Sequence, residues 1–140
     1  MKIILNKCYG GFNLSAKAIE KYLLKKGKEC YFYKQTAYKH SGGLDIYEKI
    51  SVDKAEHFFI TTYTKDMGQQ FNEIDDEYCW YESSDILRVD KDCIDVVEEL
   101  GKEANTRVSS LQVIEIPDDL KYEIDDYDGI ESVHEIHRSW

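Results

Sequence analysis

Proline occurs once in the 140 residues, as Pro117, and no stretch rich in Pro, Gly or Ser divides the chain, so one domain over residues 1–140 is expected. No apolar run approaches ~18 residues, which excludes a membrane-spanning helix, and no membrane partner is expected. Met1-Lys2-Ile3-Ile4-Leu5-Asn6-Lys7 is apolar for three residues only and lacks a signal-peptide core and cleavage site, so the expected location is cytoplasmic. Cysteine is sparse. Cys8, Cys30, Cys79 and Cys93 lie 22, 49 and 14 residues apart with no C-x-x-C, which argues against a zinc ribbon or a thioredoxin-like motif. Each adjoins an apolar run, and four buried free thiols in a reducing compartment are expected. Positive charge is short too: 18 Lys and Arg face 28 Asp and Glu, a net charge of −10 that speaks against direct nucleic-acid binding. The 42% hydrophobic and 13% aromatic content, with eleven Tyr, argues against disorder, and the length suffices to bury a core.

The charge that is present is unevenly spread. Residues 1–70 hold twelve basic and seven acidic side chains, a balance of +5, whereas residues 71–140 hold six and twenty-one, a balance of −15. Such asymmetry points to interaction surfaces. Along the chain, Ile3 to Cys8 reads as a buried first strand closed by Gly10-Gly11. Ser15 caps a helix carrying Ala16, Ile19, Tyr22 and Leu23 on one face and ending at Gly27, and Cys30 to Lys34 then completes a β-α-β unit. His57 to Tyr63 is the clearest central strand, and Tyr78 to Tyr81 another. Asp90 or Asp92 caps a second helix with Cys93, Val96, Val97, Leu100 and Ala104 inward. Leu111 to Ile116 is a strand stopped by Pro117, Leu120, Tyr122 and Ile124 alternate as a short last strand, and Ile130, Val133, His137 and Trp140 follow a helical spacing. The expectation is an α/β or α+β domain with a mixed sheet of about five strands and three helices.

The most structured motif is Cys8-Tyr9-Gly10-Gly11-Phe12-Asn13-Leu14-Ser15, a strand running through two glycines into a capped helix. Glycines let a backbone approach a ligand, and a helix N-terminus favours an anion. A nucleotide or anion site would draw on Gly10, Gly11, Asn13, Ser15 and Lys17, joined by Tyr38 and His40 from a polar glycine loop. The motif matches neither G-x-x-x-x-G-K-[ST] nor G-x-G-x-x-G, and a plain turn explains it as well. Cys8, beside that turn, is the one candidate nucleophile, since a helix N-terminus lowers a thiol pKa.

The acidic half offers a second surface: Glu73, Asp75, Asp76 and Glu77, and Asp118, Asp119, Asp125, Asp126 and Asp128, dense among aromatics. Duplex DNA carries about one charge per ~1.7 Å, and an acidic ridge of similar density fits a basic groove, with Tyr and Trp as anchors. The plain alternative is a solvated face that maintains solubility. His134 and His137, with Glu131 or Glu135, would share a helix face in part, but the spacing is not H-E-x-x-H, so no metal and no cofactor is assigned. His57 reads as a half-buried structural residue. Exposed Tyr and Trp would favour self-association into a homo-oligomer.

The Lys7-Cys8-Tyr9-Gly10-Gly11-Phe12 opening resembles that of small proteins encoded by phages and prophages. The likeness continues through Tyr38-Lys39-His40, Thr64-Lys65-Asp66-Met67-Gly68, Val97-Glu98-Glu99-Leu100-Gly101 and Ile114-Glu115-Ile116-Pro117-Asp118 to Tyr127-Asp128-Gly129 and His137-Arg138-Ser139-Trp140. It implies a small accessory protein in a bacterial host cytoplasm, where such proteins often block host defence; it carries over no catalytic residue. Three readings follow. The first is a non-enzymatic anti-defence inhibitor that binds a host protein, such as a CRISPR nuclease, through its acidic, DNA-mimic-like half. The second is a protein that sequesters a nucleotide or nucleotide signal at the glycine turn. The third is a small nucleotide-processing enzyme with an acid drawn from Glu73 to Asp85.

Overall fold

A computed structural model describes residues 1–39, 42–55, 60–119 and 121–136. The first strand, β1 (Lys2–Asn6), buries Ile3, Ile4 and Leu5 completely, as an uninterrupted apolar run predicts for a strand covered on both faces. Its partner is the distant β7 (Leu111–Glu115), antiparallel, with Ile4 opposite Val113. Helix α1 (Ala16–Lys25) starts at Ser15, whose hydroxyl accepts from the Ala18 amide, and stops where Gly27 takes φ +73° and the Lys28 amide donates back to Leu23 O. Helix α4 (Lys91–Leu100) starts at Asp90, whose carboxylate accepts from the Asp92 and Cys93 amides. The two helices pack through Ala18, Tyr22 and Leu23 against Cys93, Val96 and Val97, and Ile4 and Leu111 complete this core.

The second layer is a five-stranded antiparallel sheet in the order β5 (Gln70–Phe71), β3 (Ile46–Ile50), β2 (Tyr31–Ala37), β4 (Ile60–Tyr63) and β6 (Cys79–Trp80). The one-turn helix α2 (Val52–Ala55) packs against β2, while the one-turn helix α3 (Ser84–Leu87) gives Leu87 to the core between α1 and α4. Tyr33 and Tyr63 are fully buried with Phe71 edge-on to both, and their hydroxyls find partners: Tyr33 accepts from the Met67 amide and donates to Gly68 O, and Tyr63 accepts from the Asp75 amide. A 3-10 turn (Gly101–Ala104) follows α4, and a separate ribbon, β8 (Tyr122–Tyr127) with β9 (Ile130–Glu135), lies against β1.

The chain is therefore α+β with a five-stranded sheet, and three details differ from expectation. The β-α-β unit exists in chain order only, because β1 and β2 join different sheets. Every strand pairing among the described residues is antiparallel rather than mixed. The third long helix, expected from Ile130 onward, is instead β9, closed to β8 by the two-residue turn Asp128-Gly129 with positive φ at both positions. His57 to Phe59 of the expected central strand, Leu120, and His137 to Trp140 lie outside the described residues; the described part of that strand is Ile60–Tyr63. No helix among the described residues is long and apolar enough to cross a membrane.

Candidate functional site

The two poles of the sequence meet at one junction. The Gly10 amide donates to Asp128 O and the Gly11 amide to Val108 O, each at 3.1 Å. Gly10 has φ +145°, and a Cβ there would lie 2.0 Å from Val108 O; a Cβ on Gly129 would lie 2.3 Å from Gly10 O. The glycines are thus used for close backbone contact between the first turn and the last hairpin. Asn6, fully buried, bridges the same parts: its amide side chain donates to Cys8 O and Gly129 O and accepts from the Ser110 amide.

The donors that an anion would need are largely committed inside the protein. Ser15 caps α1 and donates to Glu103 O, and Lys17 pairs with Glu103 at 3.3 Å; the bond described at Asn13 is to its backbone carbonyl, an acceptor, from Ser109 Oγ. Tyr38 lies past the far end of β2, and His40 lies outside the described residues. Cys8 Sγ lies 3.5 Å from Val108 O and 3.6 Å from Asn6 Oδ1, turned toward the junction. Of the four free thiols only Cys93 is fully buried; Cys8, Cys30 and Cys79 are half-buried. Burial pushes Cys30 and Cys93 up to about 12 and raises Cys79, so these three stay protonated and inert at neutral pH.

The basic pole neutralises part of the acidic one across α1 and α4. Lys2 pairs with Glu98, Lys21 and Lys25 with Glu99, and Lys26 with Asp90 and Asp92. These surface contacts are weakened by solvent screening, and they involve none of the ribbon's acids. Residues 118–135 hold eight acids and one lysine. Register divides them between two faces: Tyr122, Ile124, Glu131 and Val133 turn toward the body, whereas Glu123, Asp125, Tyr127, Ser132 and His134 turn to solvent. Tyr127 is 76% exposed, and Tyr9 and Val108 stand exposed around the same junction.

The nine acidic candidates are divided between two elements. Glu73, Asp75, Asp76 and Glu77 lie in the loop between β5 and β6, while Asp118, Asp119, Asp125, Asp126 and Asp128 flank or belong to the separate ribbon. Some have structural duties: Asp75 accepts from the Glu77 amide, Asp126 from the Gly129 amide, and Asp118 from the chain's amino terminus.

Holding the ribbon in place is a contact with no counterpart in the sequence motifs. Glu131, 5% exposed, accepts two parallel bonds from the Arg88 guanidinium at 3.1 and 2.8 Å and one from the Asn6 amide at 2.8 Å. Arg88 also donates to Ile4 O and lies under the Phe12 ring, while its Nε makes no hydrogen bond among the described residues. Asn6, Arg88, Tyr127 and Gly129 went unmarked as candidates; of them, only the Asp-Gly pair carries a local signal.

A shallow cleft of about 340 Å³ lies between Tyr22, Lys26, Trp80, Glu82, Ile86 and Asp90. Its inner polar groups serve each other. The Tyr22 hydroxyl donates to Asp90 at 3.0 Å and is pushed up to about 12 by burial and that carboxylate. Burial alone would raise Asp90, but Lys26, Tyr22 and the Cys93 and Asp92 amides outweigh it and hold the carboxyl below the ordinary range. A depressed pKa contributes stability at neutral pH that is lost as pH falls through the folded value. Asp90→Asn keeps the helix cap but removes the charge. Its melting temperature should therefore lie below the parent's at pH 7, by the equivalent of about 1–2 kcal/mol, with the gap closing below about pH 4. Parallel thermal melts from pH 7 to 3 check this, and a gap that does not change with pH would refute it.

Against this geometry the comparisons are silent: the chain matches no family model, no curated protein and no solved structure.

Proposed function

We propose that the protein is a non-enzymatic binding protein whose β8–β9 ribbon engages a basic surface of another protein, as an inhibitor of a nucleic-acid-handling host defence enzyme would. The observation that carries this reading is the outward face of the ribbon. It presents Glu123, Asp125 and a protruding Tyr127 beside Asp128, on a scaffold anchored by the buried Arg88–Glu131 pair. Acidic side chains around an exposed aromatic suit electrostatic steering with one desolvated anchor. The sequestering alternative loses the amides of Gly10 and Gly11, which already donate to protein carbonyls. For the enzyme reading, whose acid would come from Glu73 to Asp85, the contacts described for those carboxylates are with backbone amides at Asp75 and Glu82 and with Arg88, 3.9 Å from Asp85.

Affinity capture from a phage-infected bacterial extract tests it. The parent chain should retain a basic protein at about 50 mM salt and release it near 500 mM. A chain carrying Glu123→Lys, Asp125→Lys and Tyr127→Ala should retain none. Capture undiminished by those changes would refute the reading, as would recovery of a bound nucleotide with no protein.

A further inference from the structure

The outward face of the ribbon also assembles a mixed donor set. Glu123 and Asp125 stand two residues apart on β8, and His134 stands directly opposite Glu123 on β9, so the three side chains share one face. The imidazole Nε2 lies 3.2 Å from Glu123 Oε1 and 2.9 Å from Asp125 Oδ2, and the three ligand atoms all fall within 4.8 Å of one another. A ring nitrogen carries at most one proton, which cannot serve two carboxylate oxygens equally; a divalent cation among the three is bound by each of them. The imidazole selects against Mg²⁺ and Ca²⁺, which prefer oxygen ligands alone, and in favour of Zn²⁺ and its stand-in Co²⁺. The strands fix the spacing beforehand, since the Asp128-Gly129 turn and the Arg88–Glu131 pair hold the register.

We propose that Glu123, Asp125 and His134 form a transition-metal site on the outer face of the β8–β9 ribbon, with water in the remaining coordination positions. The strand register corrects the helical arrangement in which His134 and His137 would have worked with Glu131 or Glu135: both carboxylates belong to the opposite face, Glu131 is occupied by Arg88, and His137 lies outside the described residues. The site goes beyond the partner-binding reading and is measured on the isolated protein, so failure of partner capture does not bear on it.

Titration of the full chain with CoCl2, followed by calorimetry and visible absorption, decides the matter. One equivalent should bind, with ligand-field bands in the visible and without the near-ultraviolet charge-transfer band that thiolate ligation gives. His134→Ala and Asp125→Asn should each weaken binding by about tenfold or more while leaving the circular dichroism unchanged, and His40→Ala should bind as the parent does. The proposal is overturned by absence of saturable binding, by a thiolate charge-transfer band, by parent-like affinity in His134→Ala, or by loss of binding in His40→Ala.

Discussion

Replacing Glu131 with alanine is expected to lower the melting temperature by about 10 °C, the equivalent of about 3–5 kcal/mol for a buried ion pair deprived of one partner in a chain of this size. The cost arises from what is left behind. The Arg88 side chain is 5% exposed, and without Glu131 its guanidinium keeps only the carbonyl of Ile4, the face of Phe12 and Asp85 at 3.9 Å. The Asn6 amide loses its acceptor at the same time. Amide exchange should locate the damage in β1, β8 and β9, with α1 and α4 less affected. The double change Arg88→Met with Glu131→Leu removes both charges and should recover much of the loss, because an apolar pair of similar volume replaces a desolvated ionic one. A Glu131→Ala chain that melts with the parent would show that the pair is not what seats the ribbon.

Gly10→Ala is expected to cost about 1–3 kcal/mol, whereas Gly11→Ala, one residue on, should cost well under 1 kcal/mol. The contrast rests on backbone geometry. Gly10 holds φ +145° and its added methyl would meet the Val108 carbonyl, which is backbone and cannot swing aside; Gly11 has nothing nearer than the Asn13 amide nitrogen at 3.6 Å. Urea denaturation of the two variants reads the difference directly. Equal midpoints would mean that the first turn and the last hairpin are not in the close contact described.

Features written in neighbouring residues were readable before any coordinates. Ser15 and Asp90 mark the starts of α1 and α4, and Pro117 follows the end of β7. What escaped depends on partners far along the chain. Ile130, Val133 and His137 recur at helical spacing, and a charged Glu131 at an inward position hides the alternation of a strand. Arg88, 43 residues earlier, and the Asn6 amide, 125 residues earlier, compensate that burial. The Asp128-Gly129 pair was the local clue, since it is a strong two-residue hairpin signal and outweighs three apolar positions. β3 was hidden for a different reason: it has no fully buried residue, so its side chains give no clean period of two. The acidic candidates were visible as composition, but their division between two sheets required the topology. The glycine motif leaves a ligand site and a plain turn open in the sequence, because the neighbours that decide between them, Val108 and Asp128, are roughly a hundred residues away.

That same distance sets a timetable for synthesis. Leu5 pairs with Gln112, so β1 waits for about a hundred further residues before its partner leaves the ribosome. At roughly 5–20 residues per second the delay is about 5–20 s. During that interval the Ile3-Ile4-Leu5 segment, fully buried in the finished fold, is an apolar strand without its partner and a template for unwanted pairing with another chain.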